Sequence, residues 1–306
     1  MSFKKSELLK ALDTAFKKEF QNGLDLIKPQ WSVVAMRVSS KTAMNTYGIL
    51  SKFPKMREWV GERQIKKMQA QAIVVKNKLF ESTVDVPRVN IEDDDVGLFS
   101  DMAKHAGQSA AELPDDLVFG ILSKGKTTLC YDGQNFFDTD HPVYENVDGT
   151  GSHKIQSNLT VGSDSSALPF YILDTTNAIK PLIWQERVKP EIETKFDPNK
   201  SDKVFMEDVY LWGVRARGNA GFGFWQLAHR VEQTELTVDN IKEVVAQMQS
   251  LKGDGEKLLN IRPNIILVPP SLEFKARQIC EADIINGTTN VLKGRLKVMV
   301  SSQIIE

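Results

Sequence analysis

The stretch Asn45 to Arg63, NTYGILSKFPKMREWVGER, opens a segment whose charge and apolar content do not suit an ordinary folded core. Between Ser51 and Phe80 stand eight basic residues, Lys52, Lys55, Arg57, Arg63, Lys66, Lys67, Lys76 and Lys78, against two acids, Glu58 and Glu62. The apolar residues among them, Phe53, Met56, Trp59, Val60 and Ile65, are too few to make a core alone. A segment of this kind lies across a surface or projects onto a neighbour. A purely solvated face would explain the charges but not the aromatic and aliphatic side chains that accompany them.

Upstream, Leu8, Leu12, Phe16 and Phe20 recur every fourth residue with Lys10, Lys17 and Lys18 between them, which predicts an amphipathic helix stopped at Asn22-Gly23. Trp31 to Val38 and Ala72 to Val75 read as short β runs on either side of the basic strip. Downstream the sign reverses. Glu92, Asp93, Asp94 and Asp95 open a helical region that reaches Leu122, with acids placed against the positive end of the helix dipole. Pro114, followed by Asp115 and Asp116, predicts a restart or a kink within it.

The stretch Lys124 to Leu168 is rich in Gly, Asp, Asn and Ser and reads as a long excursion with at most short strands. Tyr210, Trp212, Val214 and Ala216 alternate with more polar residues, and Phe222, Phe224 and Gln226 resume after Gly218 to Gly221, which predicts a hairpin. At the C-terminal end, Thr237 is a candidate N-cap for a helix carrying Ile241, Val244, Val245, Met248 and Leu251 on one face and ending at Gly253. A buried strand, Ile265 to Val268, the breaker Pro269-Pro270, a helix capped by Ser271 and running to about Ala282, and a strand from Leu296 to Val300 complete an α/β lobe.

Composition narrows the function. With 39 basic and 40 acidic residues, no global field points to nucleic acid or a membrane surface. Cys130 and Cys280 are 150 residues apart, which excludes a CxxC framework and reads as two buried thiols in a reducing compartment. No apolar run approaches the roughly 18 to 20 residues of a membrane span. The best catalytic candidate is Asp138-Thr139-Asp140-His141, two carboxylates and an imidazole that could hold a divalent metal for hydrolysis. Neighbouring residues rarely converge on one ion without a distant further ligand, and Pro142 with the surrounding polar residues says turn. Gly218, Gly221 and Gly223 fit neither phosphate-loop spacing, and His105, His153 and His229 have no HxxxH or HExxH partner. No catalytic, cofactor-binding or metal-binding set is therefore expected.

Several strings together resemble the Mu-like prophage major head subunit family: TYGILSKFPKMREWVGER from Thr46, KLFESTVDVPRVNIEDDDVG from Lys78, LCYDGQNFFDTDHPV from Leu129, YLWGVRARGNAGFGFWQLA from Tyr210 and IRPNIILVPPSLE from Ile261. The resemblance implies an α+β chain with the Hong Kong 97 type phage capsid fold: arm, extended β loop, long spine helix, peripheral sheet and α/β axial lobe. On this chain those parts map to an arm at 1–45, the extended loop at 46–90, the spine at 91–125, a loop excursion at 126–169, peripheral strands at 170–232 and the axial domain at 233–306. In the prototype the chain returns from the axial lobe to the peripheral sheet. Only Ser301 to Glu306 follow the last strand here, so the connectivity is expected to be permuted.

The resemblance implies a virion shell subunit that assembles with itself into pentamers and hexamers around packaged double-stranded DNA, without sequence-specific binding to it. Assembly in the bacterial cytoplasm, with scaffold, maturation protease, portal and decoration proteins as further partners, is implied as well. The expected interface sets Phe53, Met56, Arg57, Trp59, Arg63, Lys66 and Lys67 of one subunit against Glu92, Asp93, Asp94, Asp95, Asp115 and Asp116 of the next. The rival readings are a metal-dependent hydrolase at Asp138, Asp140 and His141, a nanocompartment shell of the same fold, and a nucleic-acid module using Lys52 to Lys78.

Overall fold

The structure, a computed structural model, describes residues 2–47, 73–93, 98–147, 149–285 and 287–304. In chain order the helices are α1 (Ser2–Leu26), α2 (Trp31–Val34), α3 (Arg88–Glu92), α4 (Leu98–Gly120), α5 (Asp202–Met206), α6 (Val238–Ser250) and α7 (Glu273–Glu281). The strands used below are β1 (Ala35–Ser39), β2 (Met44–Tyr47), β3 (Ile73–Lys76), β4 (Lys78–Pro87), β5 (His141–Tyr144), β6 (His153–Gln156), β7 (Leu159–Val161), β8 (Phe170–Leu173), β9 (Leu182–Lys195), β10 (Val209–Phe222), β11 (Ala228–Glu232), β12 (Ile265–Val268) and β13 (Lys297–Val300).

Two layers organise the chain. A four-stranded sheet, β1-β9-β10-β4, carries α1 and α4 on one face. Its small core joins Phe16 of α1 to Trp212 at 5.1 Å and to Phe196 at 5.8 Å, with Ala103, Val86 and Tyr210 around them. The predicted apolar stripe of α1 thus docks on its own subunit through Phe16 and Phe20. The helix does not stop at Asn22-Gly23 as expected but continues to Leu26. Gly23 lies against the Lys104 carbonyl of α4, and Gly107 of α4 lies against the Phe20 carbonyl, so that a methyl at either position would collide with backbone. Gly23 serves a close helix crossing, not a helix stop.

The second layer is a five-stranded sheet in the order β13-β12-β8-β11-β7, with β12 parallel to β13, β7 parallel to β11, and β8 antiparallel to both of its neighbours. Every residue of β8, β11 and β12 is buried, as expected of strands covered on both sides. Thr237 caps α6 as predicted, its hydroxyl accepting the Asn240 N–H at 3.3 Å, and Ile241, Val244, Val245 and Met248 face the core. The second helix begins as a 3-10 turn at Pro270–Leu272 and shows no side-chain cap from Ser271.

Two sequence expectations are corrected. The segment 170–232 does not form one peripheral unit: β8 and β11 belong to the five-stranded lobe, while β9 and β10 belong to the four-stranded sheet. The chain therefore enters the lobe, leaves for 182–222 and returns, because strand partners here are chosen across long sequence separations. Residues 209–222 form one 14-residue strand and not a hairpin. Its glycines mark close approaches: a methyl at Gly218 would stand 2.6 Å from the Gln185 carbonyl oxygen and 2.8 Å from the Trp184 ring, and one at Gly221 would stand 2.5 Å from Val75. The excursion 126–169 holds only short strands, as expected, and is packed, with Phe136, Phe137, His141 and Asn158 buried and a hairpin formed by β5 and β6. α4 runs through Pro114 as one helix.

Candidate assembly interface

The ends of the basic segment are held together. β2 pairs antiparallel with β3, from Met44 opposite Lys76 to Tyr47 opposite Ile73, so the chain leaves and returns at one place. Buried Gln185 of β9 fixes that base: its amide donates to the Val75 carbonyl at 3.0 Å and to Asn77 Oδ1 at 2.8 Å, and it accepts from the Tyr47 hydroxyl at 2.6 Å. Asn77 in turn donates to Ser40 Oγ and to the Thr42 carbonyl, both at 2.8 Å. Buried polar groups that are this well partnered hold one geometry. Phe53, Met56, Arg57, Trp59, Arg63, Lys66, Lys67, Asp94 and Asp95 lie outside the described residues, and only the backbone of Glu92 is described.

The described acids have different duties. Asp93 is exposed at the end of α3. Asp115 is engaged within its own chain, one carboxylate oxygen accepting the Trp31 N–H at 2.6 Å and the other the Gln30 N–H at 2.9 Å. Burial, with Asp116 and Glu112 nearby, pushes its carboxyl up against the lowering effect of those two bonds. Asp116 accepts the Gln303 amide at 2.7 Å and so ties α4 to the C-terminal residues. About 25 Å of helix lies between Leu98 and Asp115, so the Asp115-Asp116 pair sits toward the far end of α4.

Sequence reading missed the exposed apolar side chains. Leu79, Phe205 and Met206 project around the four-stranded sheet, and Phe274, Ile284 and Val291 project from the lobe. The outer face of the sheet holds a trough of about 320 Å³ lined by Leu79, Glu81, Thr83, Glu193, Leu211 and Gly213. The Phe205-Met206 pair between charged residues was the one local signal for such exposure.

The hydrolase residues come together only in part. Asp138 and Asp140 share a side-chain hydrogen bond, with Asp138 also accepting the N–H groups of Asn135 and Thr139 and Asp140 exposed. His141 faces the other way and is fully buried, stacked on Trp225 at 3.9 Å, with Nδ1 2.7 Å from Asp132 and Nε2 3.2 Å from Asn158 Oδ1. Burial and neighbouring Asp132 push the Cys130 thiol well up, and burial pushes that of Cys280 to about 11, so neither is an activated nucleophile.

Where the spine meets the lobe, Glu232 of β11 pairs with Lys126 at 2.5 Å and with Arg230 at 2.8 Å, and Arg230 donates to the Tyr171 hydroxyl at 2.9 Å. Burial raises the Glu232 carboxyl, but the two cations together hold it below its ordinary value.

The profile of the family described as Mu-like prophage major head subunit gpT matches residues 9–304. The major capsid protein of Escherichia phage Mu is 46% identical over 299 residues, covering 96% of this chain and 97% of that protein. The subunit in the procapsid of bacteriophage JBD30 superposes with a TM-score of 0.86 at 44% identity, covering 97% of this chain and 99% of that one. In the JBD30 capsid decorated with minor capsid protein trimers the matching chain gives 0.73 at 32% identity, covering 90% and 91%. A chain that shares a family, a fold and nearly its full length with phage shell subunits is a structural protein of the virion and not an enzyme: it belongs to the Mu-like prophage major head subunit family and has the Hong Kong 97 type capsid fold.

Proposed function

We propose that this major capsid subunit builds pentamers and hexamers that close into an icosahedral shell around packaged double-stranded DNA, and that residues 48–72 of one subunit complete the surface of the next. The carrying observation is the β2–β3 pairing, which returns the chain to its point of departure. A segment attached in this way connects no two parts of its own core. Its cations and its aromatic residues serve the neighbouring subunit.

The receiving acids are Glu92, Asp93, Asp94 and Asp95, with Asp116 as a secondary contact. Asp115 drops out, since its carboxylate already holds the backbone of Gln30 and Trp31. Each exposed pair contributes about 0 to 1 kcal/mol, so the charges fix register and orientation. Phe53, Met56 and Trp59 supply the apolar anchors. Assembly takes place in the host cytoplasm, and scaffold, maturation protease and portal are the partners such a shell requires. Decoration by a minor capsid protein, as named for JBD30, is a further partner class.

The test is the double variant Arg57→Glu/Arg63→Glu. Wild-type protein expressed alone is expected to give large uniform particles by electron microscopy, and the variant a monomer with unchanged circular dichroism. Normal shells from the variant would overturn the role given to the loop.

A further inference from the structure

We propose that Cys130, Asp132 and His141 form a site for a divalent, thiolate-accepting metal ion of the zinc type. One donor atom from each of the three lies within 4.8 Å of the other two, and Cys130 and His141 are buried. The site comes from both limbs of one loop. A tight turn, with Gly133 at φ +88° and the Cys130 N–H bonded to the Gln134 carbonyl at 2.8 Å, sets Asp132 back over Cys130. β5 delivers His141 from the other limb.

The hydrogen bonds around Asn158 fix which histidine nitrogen is available. Its amide nitrogen faces the carbonyls of Phe136, Trp225 and Ala228 at 2.7 to 3.2 Å, and its Oδ1 accepts the Asp138 N–H at 3.0 Å. Oδ1 is therefore an acceptor toward His141, and Nε2 must carry the hydrogen. Nδ1 and Asp132 Oδ2, 2.7 Å apart, then share either a second ring proton or a metal ion. This is the arrangement in which the second ring nitrogen orients a metal-ligating histidine.

A proton would satisfy His141 but not explain Cys130. A thiol is a weak donor, yet Sγ stands 2.8 Å from Asp132 Oδ1, as near as an ordinary N–H donor comes. A divalent ion draws sulfur, carboxylate and imidazole together for one reason. It replaces the thiol hydrogen, which leaves as a proton to solvent, and with one thiolate and one carboxylate the buried group is neutral. The backbone carbonyl of Asn135, 3.9 Å from Sγ, is the nearest candidate for a fourth donor. Mixed nitrogen, sulfur and oxygen ligation selects zinc-like ions over magnesium or calcium. Nothing in this arrangement is catalytic. The ion staples the loop between α4 and β5 beneath Trp225.

The experiment uses the full chain, stripped with chelator and titrated with cobalt(II). The expected result is a thiolate-to-cobalt charge-transfer band that saturates at one equivalent per chain, is bleached by zinc, survives in Cys280→Ala and is lost in Cys130→Ala. Circular dichroism checks that each protein is folded. Absence of the band from folded wild-type and Cys280→Ala protein, or its persistence in Cys130→Ala, would overturn the site. Shell formation is read separately by electron microscopy, so loss of the metal site leaves the capsid reading standing.

Discussion

The two sheets of this subunit are covered very differently. In the five-stranded lobe sheet every residue of β8, β11 and β12 is buried, between α6 and α7 and the aromatic residues of the 126–169 loop. In the four-stranded sheet β4 buries only Val86 fully, and the outer halves of β4 and β9 alternate with one face open. One region has its core inside the chain. The other is covered by α1 and α4 on one face and open on the opposite one. β9 and β10, 14 residues and about 45 Å long, stay in the four-stranded sheet but reach both cores, β9 through Ile183 and Ile192 and β10 through Phe222 and Trp212.

Substitutions can break or sharpen this contrast when made in the Arg57→Glu/Arg63→Glu background and followed by urea unfolding. Leu267→Ala, fully buried in β12, should cost about 2 to 5 kcal/mol through lost burial and the cavity left behind. Gly107→Ala should cost about 1 to 3 kcal/mol even though alanine is the better helix former, because its methyl meets the Phe20 carbonyl and forces α1 from α4. A gain in stability would show that the two helices do not cross so closely.

Glu232→Gln should cost about 1 to 3 kcal/mol at neutral pH by leaving the buried Arg230 without its carboxylate. The carboxyl of Glu232 is depressed in the folded state, so its contribution is complete above its ordinary value near pH 4.5 and is lost as pH falls through the depressed value. The variant should therefore lose part of the acid limb of the stability profile and leave the region above pH 5 parallel to the parent. At the small end, Leu79→Ser on the open face should change unfolding free energy by no more than about 0.5 kcal/mol, since no core there depends on it.

What could be read from sequence divides along the same line. The lobe's helices and strands were legible because α6 and β12 carry their own apolar pattern and, in α6, their own cap. The peripheral sheet was not, because β4 meets β10 and β1 meets β9 across long separations, and the glycines of β10 report a neighbour's ring or carbonyl, which no local pattern reveals. Gly23 misled for the same reason. In the loop 126–169 the count of polar residues hid the few aromatics that bury it. Of the expected interface, the unusual basic strip was visible at once, whereas the engagement of Asp115 by α2 depends on a tertiary contact. The Cys130, Asp132 and His141 set was invisible because its spacing matches no known ligand motif and becomes a cluster only when the loop closes.

Residues 48–72 are proposed to reach another subunit. Particles assembled from an equal mixture of ordinary and heavy-nitrogen protein, treated with a carbodiimide that joins lysine directly to carboxylate, test it by mass spectrometry. Crosslinks from Lys66 or Lys67 to the Glu92 to Asp95 acids should include peptide pairs of mixed isotope in about the proportion random mixing gives. Pairs of a single isotope alone would mean that the strip folds back on its own chain, and would contradict the account.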